Sequence, residues 1–229
     1  SSTVSLTINA LPNAGAGANK TICKKDSIAL NGSGGVQYSW LPAGSLSNAN
    51  IANPKASPQV TTTYTVTVTN INGCTATATM KLKVNALPVV NLGSDTTLCK
   101  NIPIVLNGNN NTAYTFSWQN ASTNINFTAN DSGTYYVQVT DTNNCKNADT
   151  VVINYYPSAL ITLTSSTNKL CIGDSAFVNA GGGVSYNWTP AYAINNTSSA
   201  NVILYPDSST TYILTVADSN ACQYVDTLA

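Results

Sequence analysis

Three residue types are absent from this sequence, which contains no Arg, no Glu and no His. Charged residues make up only 8% of the chain, against roughly 25% in an ordinary soluble domain, and the formal net charge is zero. A chain without Arg and without net positive charge lacks the basic stripe that binding to nucleic acid requires. The absence of His removes the most frequent general base near neutral pH and the commonest metal ligand. The composition therefore predicts a protein that is not an enzyme.

Long apolar runs and strong helix formers are also scarce. No run approaches the roughly 18 apolar residues of a membrane-spanning helix, and no signal peptide is visible in this segment. The chain has one Met but 12 Tyr, and Ser, Thr and Asn together account for 85 residues. Because β-branched and aromatic residues favour strands, and 43% of the chain is hydrophobic, we expect a packed all-β protein.

Three motifs recur in the same order along the chain and define three tandem repeats. An aromatic-x-Trp element, an alternating segment that begins with Tyr, and two cysteines occur once in each repeat. The elements are Tyr38–Trp40, Tyr64–Val68, Cys23 and Cys74 in the first repeat, Phe116–Trp118, Tyr135–Val139, Cys99 and Cys145 in the second, and Tyr186–Trp188, Tyr212–Val216, Cys171 and Cys222 in the third. The regular order predicts one domain architecture used three times.

Within a repeat, short segments of alternating polar and apolar residues are separated by Gly, Asn and Pro turns. In the first repeat this pattern predicts strands at 27–31, 36–41, 64–68 and 75–84. Six or seven such strands form a small β-sandwich. A domain of this size buries only about 60% of its unfolded surface, so a covalent staple is expected.

These motifs resemble the PKD-like and Ig-like repeats of large secreted surface proteins of gliding Bacteroidota. The shared pattern is Cys-x-x-Asp-Ser, Tyr-x-Trp, Thr-Thr-Tyr-x-x-Thr-Val and Asn-x-Cys, and it is clearest in the first and third repeats. In the second repeat, Asp131–Tyr135 is instead similar to the tyrosine corner of immunoglobulin-fold domains, in which a Tyr hydroxyl binds upstream backbone. The best matching stretches are 23–27, 63–64 and 72–74 in the first repeat, and 171–175 and 211–212 in the third.

The resemblance implies an all-β chain of three tandem Ig-like or PKD-like β-sandwich repeats with short Pro-containing linkers, carried to the cell surface by type IX secretion. It assigns PKD-like sandwiches to 13–86 and 158–229 and an Ig-like sandwich to 88–156. Residues 1–9 would be the last strand of a preceding repeat or an extended leader, and the last strand of the third repeat would be truncated. We expect residues 3–9 to pair with a neighbouring molecule or upstream protein, or to be poorly ordered.

The six cysteines are expected to form disulfides. Repeat symmetry favours one bridge within each repeat, and the absence of His and of a Cys-x-x-Cys pair makes a metal-thiolate site the poorer alternative. The pairing of Cys23 with Cys74 has one geometric requirement. Cys74 follows a hairpin turn, so Cys23 must lie near that hairpin for the two cysteines to bond. The expected bridges are Cys23–Cys74, Cys99–Cys145 and Cys171–Cys222.

The aromatic residues divide into an expected core and an expected surface. Each Trp lies in the third strand of its repeat beside inward-facing aromatic residues, so core packing is favoured over carbohydrate stacking. The expected core aromatics are Trp40, Trp118, Trp188, Tyr64, Tyr135 and Tyr212. The Tyr residues outside the alternating pattern are candidates for exposed contacts, and they are Tyr155, Tyr156, Tyr192 and Tyr205.

No pattern points to catalysis, and we assign no catalytic residue, no metal ligand and no cofactor. Asp residues are scattered singly, without a calcium-binding ladder or a carboxylate pair. The favoured function is a non-catalytic extracellular stalk or adhesin segment of a large repeat-containing cell-surface protein, with other protein repeats or surface proteins as partners. The alternative is a glycan-binding accessory module of a secreted hydrolase. Buried Trp in every repeat would favour the stalk, and a row of exposed aromatics would favour the glycan-binding module.

The last expectation concerns modification, and it too follows from the resemblance. Secreted proteins of this group are O-glycosylated at Asp-Ser or Asp-Thr before a small set of residues, and five Asp residues stand in that setting. The alternative is that Asp before Ser or Thr merely makes turns at strand starts. The candidate O-glycosylation sites are Ser27, Thr96, Thr150, Ser175 and Thr227.

Overall fold

A computed structural model describes residues 3–229, and every regular secondary-structure element in this part of the chain is a β-strand. Ser1 and Ser2, the first residues of the expected segment 1–9, lie outside the described residues. The all-β class is therefore confirmed, and none of the described residues forms a helix long and apolar enough to cross a membrane.

The chain divides into two compact units. The first repeat lies in unit 1, the third lies in unit 2, and the second contributes segments to both. Unit 1 comprises the chain up to Leu92 together with Leu106–Phe127 and Tyr136–Thr150, and unit 2 comprises Gly93–Val105, Thr128–Tyr135 and Val151–Ala229.

The first repeat contains six strands in two sheets. They are β1 (Lys20–Cys23), β2 (Ile28–Ala29), β3 (Gln37–Leu41), β4 (Lys55–Ala56), β5 (Thr62–Thr69) and β6 (Thr75–Asn85). The larger sheet has the order β1-β6-β5-β3, and β2 pairs with β4. Strand β1 runs parallel to the end of β6 and places Cys23 opposite Asn85.

The hairpin of β5 and β6 shows why these residues form strands. Tyr64, Val66 and Val68 are completely buried, while the Thr residues between them are more exposed, as strict alternation requires. At the turn, Asn70 accepts backbone hydrogen bonds from two residues through its side-chain oxygen, and Gly73 takes a positive φ of 78°. Local sequence therefore determines both strands and their connection.

The second repeat has six strands of its own. They are β7 (Thr96–Leu98), β8 (Ile104–Asn107), β9 (Thr115–Trp118), β10 (Asn126–Ala129), β11 (Gly133–Thr140) and β12 (Lys146–Tyr155). The sheet order β7-β12-β11-β9 repeats that of the first repeat. As in the first repeat, its opening strand β7 runs parallel to the end of the last strand, with Thr96 opposite Ile153.

The third repeat differs at its first strand. Its strands are β13 (Thr162–Ser165), β14 (Ala176–Gly181), β15 (Ser185–Thr189), β16 (Asn201–Leu204), β17 (Tyr212–Ala217) and β18 (Gln223–Leu228). The sheets have the orders β13-β14-β16 and β15-β17-β18. Residues 168–171, which correspond to β1 and β7, form no strand.

The segment before the first repeat is extended and exposed. Residues 3–9 form no strand, and the side chains of Val4, Leu6 and Ile8 are 93%, 87% and 90% exposed. They are therefore not the first strand of the first repeat, whose opening strand is β1. The expectation that another chain segment covers them stays a prediction.

Candidate functional site

The first cysteine of every repeat precedes the same tight turn. The carbonyl oxygen of each cysteine accepts a hydrogen bond from the N–H three residues further on, and the residue before that donor has a positive φ. The acceptor and donor pairs are Cys23 and Asp26, Cys99 and Ile102, and Cys171 and Asp174, at 3.0, 3.3 and 3.0 Å, and the positive-φ residues are Lys25, Asn101 and Gly173. The backbone around the three cysteines therefore has the same local conformation.

The second cysteine of every repeat closes the hairpin between the last two strands. A side-chain oxygen four residues earlier accepts a hydrogen bond from the cysteine N–H in each case, which fixes the five-residue turn. The acceptor and donor pairs are Asn70 and Cys74, Asp141 and Cys145, and Asp218 and Cys222, at 3.0, 2.9 and 3.0 Å. Here too the three repeats share one geometry.

The two disulfides join successive repeats. Cys23 bridges to Cys145 and Cys99 bridges to Cys222, with Cα atoms 5.5 and 5.4 Å apart. Each bridge therefore links the first cysteine of one repeat to the second cysteine of the next, and the sequence separations of 122 and 123 residues are nearly equal. The expected pairing within repeats is wrong.

Strand length explains this correction. Cys74 immediately precedes β6, which is 11 residues long, whereas Cys23 lies opposite Asn85 at the other end of that strand. At about 3.3 Å per residue the two cysteines are separated by roughly 36 Å along the strand, far beyond the roughly 7 Å between Cα atoms that a disulfide spans. The two cysteines of a repeat thus lie at opposite poles of its sandwich.

The staggered pairing leaves two cysteines as free thiols. They are Cys74, which is half-buried, and Cys171, which is exposed. The Cys74 sulfur lies 3.9 Å from the carbonyl oxygen of Asn9, and the side chain of Asn70 donates a 2.9 Å hydrogen bond to the carbonyl oxygen of Ala10. The segment before the first repeat therefore runs past the Cys74 hairpin.

A polar cleft of about 510 Å³ accompanies the Cys23–Cys145 bridge. Its lining includes Cys23, Ser27, Asn85 and Asn143, all in unit 1. Across residues 3–229, no group of three or more metal-ligating side chains occurs. The bridged junction offers polar contact surface and a candidate glycan acceptor.

All three Trp residues belong to the core, as expected. Trp40, Trp118 and Trp188 are at most 2% exposed, and each indole N–H donates to a backbone carbonyl oxygen, at 3.0, 2.8 and 3.0 Å. Their faces are therefore not available for stacking on a sugar ring, which disfavours the glycan-binding module.

Of the three Tyr residues expected in the core, two are buried and one is not. Tyr64 and Tyr212 are buried, and burial is the main cause that raises the pKa of Tyr212. Tyr135 is only half-buried, so its assignment to the core needs correction. Its hydroxyl donates a 2.7 Å hydrogen bond to the carbonyl oxygen of Asp131, which is the tyrosine-corner contact that the resemblance implied.

The four Tyr residues proposed for exposed contacts also divide. Tyr155 and Tyr156 are half-buried, and the Tyr155 hydroxyl lies 3.0 Å from the carbonyl oxygen of Ile102, with a pKa raised mainly by burial. Tyr192 and Tyr205 are 44% and 51% exposed. A hydrogen bond to Asp207 raises the pKa of Tyr192. Only these last two residues are accessible in the way a contact surface requires.

Four of the five candidate glycosylation sites are exposed. The exception is Thr96, which is half-buried in β7. Several of the preceding Asp side chains accept backbone hydrogen bonds, as Asp149 does from Leu92 and Asp95 does from Val152. The Asp residues therefore have a structural role whether or not the hydroxyls carry sugar. The exposed sites are Ser27, Thr150, Ser175 and Thr227.

No protein-family model and no curated protein matches this chain. Similar solved structures include the N-terminal eight Ig domains of Down Syndrome Cell Adhesion Molecule isoform 1.30.30, at TM-score 0.39 and 11% identity, with 95% of this chain and 42% of that chain covered. A second is Dpr2 Ig1-Ig2 in complex with DIP-Theta Ig1-Ig3, at TM-score 0.30 and 9% identity, with 96% of this chain and 98% of that chain covered. A third is Sidekick-1 immunoglobulin domains 1-4, at TM-score 0.26 and 11% identity, with 94% of this chain and 74% of that chain covered. The structure itself shows β-strands that form separate sheets in each of the three repeats. At these TM-scores the likeness carries no argument about family, partners or activity.

Proposed function

We propose that this chain is a non-catalytic segment of an extracellular cell-surface protein and serves as a stalk or adhesin. It would consist of Ig-like or PKD-like repeats at 13–86, 88–156 and 158–229. The observation that carries the proposal is that both disulfides join successive repeats. Domains in one chain normally move relative to each other, and a covalent bridge across the junction restricts that motion. Restricted motion is what a spacer needs to keep its reach.

The disulfides also support a location outside the cytosol, where bridges persist without continual reduction. The resemblance of 23–27 and 171–175 to repeats of gliding Bacteroidota supports a more specific place, the outer face of the outer membrane after type IX secretion. There the partners would be other protein repeats or surface proteins. Glycans are the weaker alternative, because the three Trp residues are buried and the exposed aromatic side chains among the described residues are Tyr136, Phe177, Tyr192 and Tyr205.

The stalk function predicts a narrow distribution of distances between repeats. We would attach bioorthogonal spin labels at Ser39 and Asn187, which are equivalent exposed positions in β3 and β15, and measure the distances by pulsed electron resonance. The distribution should be narrow in the bridged chain and broaden when Cys99 and Cys222 are both replaced by Ser. A control with Cys74→Ser and Cys171→Ser should keep the narrow distribution. A bridged chain as broad as the unbridged one would contradict the stalk.

We further propose O-glycosylation at the exposed Asp-Ser and Asp-Thr sites. Sugar there would solubilise a surface with little charge. Protein from its native host should carry a hexose-ladder mass excess that maps to Ser27 or Thr150 and is lost on Ser27→Ala with Thr150→Ala. A native mass equal to that of the bare disulfide-bonded chain would reject the modification.

A further inference from the structure

We propose that the polar cleft at the Cys23–Cys145 bridge, together with Lys81 and Lys83 beside it, binds a polysaccharide whose sugar units carry carboxylate groups. Three observations support the proposal: positive charge is concentrated in the first repeat, the cleft has a polar lining, and one of its Lys residues has an unfavourable backbone conformation. The inference names a partner for the proposed adhesin role and rests on that role. Its binding test is separate from the distance measurement that tests the stalk.

The zero net charge of the chain conceals an uneven distribution of charge. Residues 13–86 contain six Lys and one Asp, a formal charge of +5, whereas residues 88–156 contain two Lys and four Asp, a formal charge of −2. An excess of one sign on one part of a protein attracts ligands of the opposite sign. The first repeat is therefore the part of the chain that suits an anionic ligand.

Five of the six Lys residues of the first repeat lie close together in the fold. Strand β1 and the turn after it contain three of them, and the neighbouring end of β6 contains two. Lys20 is half-buried and donates a 2.8 Å hydrogen bond to the carbonyl oxygen of Ala29. The other four are exposed and available to a ligand, and they are Lys24, Lys25, Lys81 and Lys83.

The cleft of about 510 Å³ opens beside these ammonium groups. Thr21 and Asn85 belong to its lining, and both are neighbours of Lys83. Thr21 lies opposite Lys83 in the parallel pairing, and Asn85 follows two residues later on the same face of β6. Lys81 continues this face in the other direction, since the residue between the two Lys residues, Leu82, is completely buried. Lys81 and Lys83 therefore extend the cleft along the outer face of the sheet.

The cleft lining carries the groups that an acidic sugar requires. The amide side chains of Asn85, Asn143 and Asn144 both donate and accept hydrogen bonds, as sugar hydroxyl groups do. Lys25 supplies an ammonium group, which makes charge-assisted hydrogen bonds to a carboxylate. Asp26 is the one acidic residue of the lining. This kind of recognition uses amides and charge instead of stacking on aromatic rings, so the burial of the Trp residues does not oppose it.

Lys25 has a backbone conformation that suits other residue types better. Its φ is 76°, in the left-handed region that favours Gly and Asn. The corresponding residues of the other repeats are Asn101, with a φ of 66°, and Gly173, with a φ of 95°. Unfavourable backbone conformations are concentrated at binding sites, where the side chain has a task. The retention of Lys at this position therefore points to a ligand.

The second bridge provides an internal comparison. Counted from the cysteines, Asn101 takes the place of Lys25 and Asn154 takes the place of Lys83. Both junctions have the same turn after the first cysteine and the same parallel strand pairing. Asn is thus compatible with the backbone at both positions, and it removes the charge without disturbing the fold.

The spacing of the ammonium groups favours a polysaccharide over other polyanions. Lys81 and Lys83 are two residues apart on one strand, a distance of about 7 Å. Double-stranded nucleic acid carries one negative charge per about 1.7 Å of its axis, and it requires a denser basic surface. A polysaccharide with one carboxylate per sugar unit has more widely spaced charges with hydroxyl groups between them. It therefore fits both the two Lys residues and the amide lining.

Titration with an oligosaccharide of galacturonic acid tests the proposal. Isothermal titration calorimetry would use the chain without O-linked sugar, because Ser27 lines the cleft and a sugar on it would compete. We expect binding that weakens as the salt concentration rises, because salt screens exposed charges. The fully methyl-esterified oligosaccharide, which has no charge, should bind more weakly by at least about tenfold. No binding of the acidic oligosaccharide, or equal binding of its methyl ester, would overturn the proposal.

Competition separates an acidic sugar from other polyanions. Double-stranded DNA and vesicles of phosphatidylglycerol would be added at the same concentration of negative charge as the oligosaccharide. Both should displace a labelled galacturonic acid oligosaccharide less effectively than the unlabelled oligosaccharide does. If either competes equally well, the cleft responds to charge alone and the assignment to a polysaccharide is wrong.

Two pairs of Asn substitutions locate the site. Lys25→Asn with Lys83→Asn gives the first junction the residues of the second, and it should lower the affinity by more than about tenfold because two charge-assisted contacts are lost. The control, Lys55→Asn with Lys100→Asn, removes the same charge from β4 and from the turn after Cys99. It should change the affinity by less than about threefold. Equal losses in the two double variants would show attraction to net charge and contradict the site.

The Cys23–Cys145 bridge should also be required for full affinity. Residues 143–144 belong to the second repeat, and the bridge holds them against the part of the cleft that the first repeat forms. Cys23→Ser with Cys145→Ser should therefore weaken binding several-fold, whereas Cys99→Ser with Cys222→Ser should leave it unchanged. Unchanged binding in the first double variant, or equal losses in both, would contradict a site built across this bridge.

Discussion

Replacing both Cys23 and Cys145 by Ser is expected to lower the free energy of unfolding by about 2–5 kcal/mol. The bridge connects residues separated by 122 positions, and closing so long a loop removes much of the conformational freedom of the unfolded chain. The substitution also frees the junction between the first and second repeats. The double variant is used because a single substitution would leave a partner thiol able to exchange with Cys74 or Cys171.

Denaturant unfolding followed by tryptophan fluorescence under non-oxidising, non-reducing conditions measures this loss. The control is the double variant Cys74→Ser with Cys171→Ser, which keeps both bridges and should stay within about 0.5 kcal/mol of the wild-type chain. If the control lost as much stability as the Cys23 and Cys145 variant, or if the latter lost none, the staggered pairing would be contradicted.

Truncation of Trp40 to Ala is expected to destabilise the first repeat by about 3–5 kcal/mol. The side chain is completely buried in the cluster that includes Leu30, Val66 and Leu82, so its removal leaves a large cavity. It also leaves the carbonyl oxygen of Ile51 without its 3.0 Å hydrogen bond from the indole. The cavity and the lost hydrogen bond both lower the stability of the first repeat.

The Trp40→Phe variant separates these two contributions. It keeps an aromatic ring in the core and removes the indole N–H, so the loss should be smaller than that of Trp40→Ala. Replacing Ile71, which is 86% exposed at the neighbouring hairpin, with Ala should change stability by less than about 0.5 kcal/mol. If Trp40→Ala left stability unchanged but abolished binding to a polysaccharide, the residue would be a ligand contact and the glycan-binding hypothesis would be favoured.

Local sequence was sufficient for the longer strands and their hairpins, whereas the strand predicted at 27–31 is only Ile28–Ala29 and β1 was not predicted. The predicted strand at 75–84 is observed as Thr75–Asn85, and that at 36–41 as Gln37–Leu41, because alternation and turn residues act over a few neighbouring positions. Burial of the three Trp residues was likewise predictable from their place in the third strand.

Tyr135 shows where pattern reasoning fails. It begins the same alternating segment as Tyr64 and Tyr212, yet it is only half-buried and its hydroxyl binds the Asp131 backbone. The sequence contained the relevant signal in Asp131-Ser-Gly-Thr-Tyr135, which resembles a tyrosine corner. A corner Tyr bends back toward its own upstream turn, so equal position in the alternation did not mean equal burial.

The sequence by itself determined that this is an all-β chain of three related repeats, each with one cysteine before its first tight turn and one after its last hairpin. Only the tertiary structure decided which cysteines meet. Repeat symmetry is satisfied equally by bridges within repeats and by bridges displaced by one repeat. The length of β6 and the parallel pairing of β1 with its far end place the two cysteines of a repeat at opposite poles, so that Cys23 bonds to Cys145. Pairing depends on distance in space, which the spacing of cysteines along the chain does not specify.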